Sequence, residues 1–144
     1  MTIRVYQTSD LDSIINIWNN ASVQAHDFVD PLFWEERQHD MRNVYIPHSE
    51  TYVLEQAEEL IGFLSLVDEK LAALFVDPTK QQRGHGQALL DFAKTIRDHI
   101  ELNVYKQNSA AVSFYIKNGF AIKEELIDAQ TQQLEYLMEW AQRN

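Results

Sequence analysis

One segment of this chain concentrates the features that bind a charged group: Val76-Asp77-Pro78-Thr79-Lys80-Gln81-Gln82-Arg83-Gly84-His85-Gly86-Gln87-Ala88-Leu89-Leu90. Two of the four glycines, Gly84 and Gly86, stand two apart in it. They fall between the apolar run Leu71 to Val76 and an amphipathic stretch that begins at Ala88. A helix starting there leaves about four backbone N–H groups without partners. No Ser, Thr, Asp or Asn stands at its start to cap them. Acidic residues are absent from Pro78 to Leu90, whereas Lys80 and Arg83 are present. Without Cβ atoms, Gly84 and Gly86 let a ligand oxygen approach the backbone. The helix dipole favours negative charge at that end, which suits a phosphate or pyrophosphate. Hydrogen bonds to a charged group are worth roughly 1.5–3 kcal/mol each, so three or four would hold a pyrophosphate even in an acidic chain. The plainer alternative is a tight strand-to-helix turn. The Walker pattern is absent, and the Rossmann pattern needs a third glycine where Leu89 stands.

A second block lies downstream: Asn108-x-x-Ala111-x-x-Phe114-Tyr115-x-x-Asn118-Gly119-Phe120. Together the two resemble the GCN5-related N-acetyltransferase (GNAT) family. Gln81-x-x-Gly84-x-Gly86 matches its Q/R-x-x-G-x-G/A signature, and Leu74 to Pro78 resembles its fourth strand. Ala88-Leu89-Leu90 resembles the following helix, and the downstream block resembles N-x-x-A-x-x-x-Y-x-x-x-G-F. The strong likeness covers about Leu71 to Phe120, and the element order fits the whole chain.

The resemblance implies acetyl-coenzyme A as acetyl donor and a primary amine as acceptor, joined by direct attack in a ternary complex. The amine is a protein lysine or N-terminus, a polyamine, or a small metabolite. The pyrophosphate falls to Gln81, Arg83, Gly84, His85, Gly86 and Gln87. A backbone N–H near Phe75 or Val76 bonds the acetyl carbonyl, an oxyanion-type contact. Tyr115 alone reads as a core aromatic; within the block it is the acid for the departing thiolate, protonated at neutral pH. Asn108 caps its helix and could also contact the pantetheine arm. Asn103 bonds the cofactor amide or faces solvent beside Glu101 and Tyr105. A lysine-type amine with a pKa near 10.4 needs a base. Some family members hold a Glu on the fourth strand, but Leu71-Ala72-Ala73-Leu74-Phe75-Val76 has none. Ordered water, His26 or Asp27 remains, and His26-Asp27-Phe28 is the expected acceptor-side segment. Lys80 and Arg83 reach the phosphates or are solvated charge. The other class of function the same fold allows is a non-catalytic acyl-CoA-binding module.

The elements that must position these residues read in order as strand, two helices, three strands, helix, strand, helix and two strands. The first strand is about 2–7. Thr8 or Ser9 caps a helix with Leu11, Ile14, Ile15 and Trp18 on one face. Pro31 starts a second helix that fades near Pro47. Strands at 51–55 and 60–67 flank an Ala57-Glu58-Glu59 turn, and a third, 70–76, is apolar enough to be covered on both faces. A helix at 84–99, a strand at 100–105 and a helix at 108–118 follow, the last capped by Asn108 and stopped by Gly119. Strands at 120–127 and 133–140 close the sheet. The class is α/β (an α+β mixed sheet), with helices on both faces. The resemblance implies a mostly antiparallel central sheet whose fourth and fifth strands splay.

Composition narrows the rest. The 144 residues carry 12 Lys+Arg against 22 Asp+Glu, a net charge of −10. One domain, 1–144, is expected from that length. Zero Cys excludes a disulfide scaffold and a Cys nucleophile, and the five His show no ligand spacing, so no metal is expected. The longest apolar run is six residues, against about 20 for a membrane span. A cytoplasmic protein, monomer or homodimer, is the expectation. The acidic balance disfavours nucleic acid, including charged tRNA, and favours cationic partners.

Overall fold

In the computed structural model, which describes residues 1–143, a short strand β1 (Thr2–Val5) leads into a 3-10 turn over Thr8–Asp10 and helix α1 (Leu11–Ala25). Ile14, Ile15, Ile17, Trp18 and Ala21 form the buried stripe of α1. The start differs from the expected hydroxyl cap. Asp10 Oδ2 accepts from the Gln7 N–H at 2.7 Å and is held by Arg4 at 2.9 Å. The helical run begins at Thr8 as the 3-10 turn, with Gln7 as its N-cap, so Thr8 and Ser9 lie inside the turn rather than ahead of it. Helix α2 (Pro31–Glu36) is capped by Asp30, which accepts from the Leu32 N–H at 3.0 Å. It breaks at Arg37 and continues as α3 (Gln38–Asp40) and a π-type turn over Met41–Tyr45.

Strands β2 (Glu50–Gln56), β3 (Glu59–Val67) and β4 (Lys70–Val76) form a meander. Ala57 and Glu58, both at positive φ, make the two-residue hairpin turn that matches strand twist. Helix α4 (His85–Ile96), β5 (His99–Tyr105), α5 (Ser109–Lys117), β6 (Ala121–Ile127) and β7 (Leu134–Ala141) complete the chain. The seven strands make one sheet in the order β1-β2-β3-β4-β5-β7-β6. Every neighbouring pair is antiparallel except β4 and β5, which run parallel and meet only at Lys70 and Glu101. Beyond that pair the two strands part, as the family resemblance implied.

A β-bulge decides what faces the gap. Leu66 pairs with Leu71, but Ser65 pairs with Ala73, so Ala72 is the extra residue. Before the bulge the Glu69 carbonyl faces β5, where it accepts from the Glu101 N–H at 2.9 Å. After it the phase is reversed. The Asp77 N–H donates to the Ile61 carbonyl at 2.8 Å, so Phe75 and Asp77 face β3. Leu74 and Val76 therefore turn their amides toward the gap. The splay also corrects the expected double cover of β4. Leu71 and Val76 are buried, Ala72 is exposed, and Ala73, Leu74 and Phe75 are half-buried.

Two apolar layers sandwich the sheet. Helices α4 and α5 pack on one face against Leu54, Leu64, Leu66 and Met138. Helices α1 and α2 pack on the other against Val53 and Phe63. Gly62 is required where β3 meets β4: a Cβ there would lie 2.7 Å from the Phe75 carbonyl oxygen.

Candidate active site

The gap between β4 and β5 opens into a cavity of about 810 Å³. One end is the start of α4. Gly84 stands at the N-cap in the left-handed region, φ +82°, with no side-chain cap. A Cβ on Gly84 would meet nothing within 4 Å, and one on Gly86 would have only ordinary contacts at 3.9 Å. Inside the first turn, the Ala88 N–H already bonds the Gly84 carbonyl at 3.0 Å. The His85, Gly86 and Gln87 amides precede that bond and have no intrahelical acceptor. This is an anion cradle of backbone donors, reinforced by the helix dipole.

The cradle's side chains divide. Gln81 Nε2 donates to the Val76 carbonyl at 3.3 Å, tying the loop to the end of β4. Gln87 Nε2 is spent on Asp91 and Asn118, at 2.9 and 2.6 Å, so Gln87 offers its backbone. His85 is buried and lines the cavity. Arg83 does not. It is exposed and lines a separate hollow of about 250 Å³ with Lys80, and Lys80 is paired with Glu59 at 3.2 Å. The expected phosphate contact of Arg83 is thus not formed by the cavity lining itself, and the residue sits between Gln82 and Gly84, both at positive φ.

Along the gap, the Val76 and Leu74 amides are the backbone donors. The Phe75 amide expected beside Val76 belongs to the β3 ladder, and Phe75 lines the cavity by its side chain. Asn108 Oδ1 caps α5 by accepting from the Ala111 N–H at 3.3 Å. Its Nδ2 therefore faces His26 Nε2, 3.2 Å away. Tyr115 lines the cavity from α5, packed against Phe114 and Phe120 at 5.2 and 5.4 Å between centroids. Burial pushes its phenol above the usual range, which keeps it protonated.

The acceptor-side expectations need correcting. His26 is 7% exposed, wedged among Phe28, Trp34 and Tyr105. Burial lowers its pKa to about 4, because the imidazolium loses its water. Its Nε2 lone pair receives the Asn108 amide, so His26 is a wall and a support for Asn108 rather than the expected base. Asp27 is exposed, and neither Asp27 nor Phe28 lines the cavity. Asp27 points to solvent, whereas Phe28 packs behind the wall against His26 and Tyr105, at 5.7 and 5.5 Å between centroids.

What sequence reasoning missed is Glu135. It lies on β7, opposite Tyr105 of β5, and lines the cavity. Asn103 Nδ2 donates to Glu135 Oε1 at 3.1 Å, which settles the Asn103 side chain on the α1–α2 side of the sheet. Asn103 Oδ1 is buried with no partner. Burial raises the Glu135 carboxyl above its usual value, opposed by the Asn103 donor and aided by Asp128. In sequence, Glu135 between Leu134 and Tyr136 reads as an ordinary outward-facing strand residue.

A family model for the "Acetyltransferase (GNAT) domain" matches residues 47–122. The chain belongs to the GNAT family. The Escherichia coli peptidyl-lysine N-acetyltransferase YiaC is 32% identical over 139 residues, spanning 96% of this chain and 95% of that protein. The solution structure of apo YjaB from Escherichia coli superposes with a TM-score of 0.86 at 24% identity, over 99% and 98% of the two chains. The PaiA N-acetyltransferase of Thermoplasma acidophilum, solved with coenzyme A, gives 0.78 at 22% identity over 98% and 99%. These two likenesses show the fold. The GNAT motif residues Gly84, Gly86, Asn108 and Tyr115 all line the one cavity. Among the described residues, His99, Glu101 and Glu139 also approach one another, but on the outer β5–β7 surface, where Lys123 lies 3.5 and 3.4 Å from the two carboxylates. No helix among the described residues is long and apolar enough to cross a membrane.

Proposed function

We propose that this GNAT chain transfers the acetyl group of acetyl-CoA to a primary amine by direct attack with both partners bound, the amine being a lysine of a peptide or protein. The reading is carried by one observation. An uncapped helix start opens into a cavity that passes through the one splayed step of the sheet. The residues fit the donor: the missing Cβ atoms of Gly84 and Gly86 leave the amides open to a diphosphate. The Val76 and Leu74 amides line the gap, where a donor would polarise the thioester carbonyl. Tyr115 then protonates the sulfur, a weaker base than an amine and one that needs a proton nearby.

Two points favour a peptidyl lysine. YiaC, which matches along nearly its whole length, is a peptidyl-lysine N-acetyltransferase. At the rim, Arg37 lies 3.5 Å over the Phe33 ring and donates to the Phe33 carbonyl at 3.0 Å. Its charge is balanced by Glu36 at 4.0 Å, and its N–H groups suit peptide carbonyls. The test is calorimetry with acetyl-CoA, followed by turnover on a lysine peptide, a free N-terminal amine and spermidine. Tight binding with turnover on the lysine peptide is expected. Binding without turnover on any amine would make the chain a binding module, and no binding would remove the reading altogether.

A further inference from the structure

The cavity crosses the sheet. Tyr115 comes from α5, which packs on the α4 side, whereas Asn103, Tyr105 and Glu135 sit toward α1 and α2. An acid and a base therefore reach the gap from opposite faces. Among the described residues, Glu135 is the one carboxylate that lines this cavity. Asn103 fixes one of its oxygens, and the buried, unpartnered Asn103 Oδ1 lies on the same amide. The bond from Asn103 engages Oε1 and leaves the other carboxylate oxygen of Glu135 as an acceptor for an ammonium, which carries three N–H donors. Tyr105 cannot serve there, because its hydroxyl donates to Asp128 Oδ2 at 2.7 Å.

We propose that Glu135 binds the incoming ammonium and takes its proton, with Asn103 as the residue that positions it. This rests on the acetyltransferase reading and deepens it. The proton account closes. Glu135 takes one proton from R–NH3⁺ and passes it to water. The freed nitrogen lone pair forms the N–C bond as the C–S bond breaks. Tyr115 gives its proton to sulfur and is restored by the second proton leaving nitrogen. The amide keeps one N–H, coenzyme A leaves as the thiol, and one proton is released overall.

Asp128 of the β6–β7 loop and Lys70 of β4 act on the Glu135 carboxyl, Tyr105 stands opposite it on β5, and Arg37 after α2 and His26 after α1 line the same cavity. Burial holds the carboxyl above its ordinary value, which improves its match to proton transfer near neutral pH.

The test compares Glu135→Gln, Glu135→Asp and Asn103→Ala with the wild type, using a lysine peptide and hydroxylamine, an amine largely neutral at pH 7. Glu135→Gln should lower kcat/KM for the peptide on the order of 10²–10³-fold. It should lower the hydroxylamine rate at least tenfold less. Calorimetry in the presence of coenzyme A should show weakened peptide binding. The acidic limb of the kcat/KM profile should vanish in Glu135→Gln, recover in Glu135→Asp, and move to higher pH in Asn103→Ala, which removes the donor to the carboxylate. Equal losses on both amines, or a peptide rate within threefold of wild type, would overturn the proposal while leaving the transferase reading intact. A wild type that does not bind acetyl-CoA would overturn that reading instead.

Discussion

Replacing Gly84 with Asp tests the anion cradle without dismantling the fold. A Cβ at Gly84 meets nothing within 4 Å, so the only steric cost is the left-handed backbone at φ +82°. That costs about 1–2 kcal/mol for an ordinary residue, and Asp tolerates it better than most. A carboxylate at a helix start returns about 0.3–1 kcal/mol through the dipole. Net stability should fall by about 1 kcal/mol or less, a shift in Tm of a few degrees for a chain of this size. Binding is a different matter. The carboxylate occupies the cradle and repels the diphosphate. Losing two charge-assisted hydrogen bonds at roughly 1.5–3 kcal/mol each removes about 3–6 kcal/mol. That raises Kd on the order of 10²–10⁴-fold. Gly84→Asn has nearly the same shape without the charge and should lose markedly less. The assay is calorimetry with coenzyme A beside a thermal melt of each variant. A folded Gly84→Asp protein that binds coenzyme A within threefold of wild type would refute the cradle.

Three further outcomes follow from the same geometry. Tyr115→Phe should lower kcat on the order of 10²-fold, with Kd for acetyl-CoA nearly unchanged, as pre-steady-state kinetics and calorimetry would show. His26 has a folded pKa of about 4, below the ordinary 6.5, so the unfolded chain binds its proton more readily. Its contribution to stability is complete above pH 6.5 and is lost as pH falls toward 4. Between pH 7 and 5 the loss is about 2 kcal/mol. Urea unfolding at those two pH values should show a change more destabilising by that amount in the wild type than in His26→Gln, with His99, whose pKa is raised by Glu139 and Glu69, common to both. Gly62→Ala should cost about 1–3 kcal/mol, because its methyl would stand 2.7 Å from the Phe75 carbonyl oxygen and push β4 aside. Denaturant titration measures the cost, and an unchanged midpoint would contradict the packing described for β3 and β4.

The residues of the chain determine whatever is local. An i, i+3, i+4 apolar stripe makes α1, Asn108 caps α5, and Gly119 at φ +91° ends it. The bare start of α4 is likewise written in a few consecutive residues, because its amides lack partners whatever surrounds them. Hence the element order and the Gly84–Gly86 cradle were legible. Tertiary structure alone decided the polar end of the cavity. Glu135 and Asn103 are 32 positions apart and meet only because β5 and β7 pair in one register. The bulge at Ala72 reverses the phase of β4 and presents Val76 rather than Phe75 to the gap. His26 looked like a base in isolation, but the aromatic rings around it strip its water and Asn108 takes its lone pair. Register, bulge phase and burial are sums over distant contacts, and no stretch of sequence contains them.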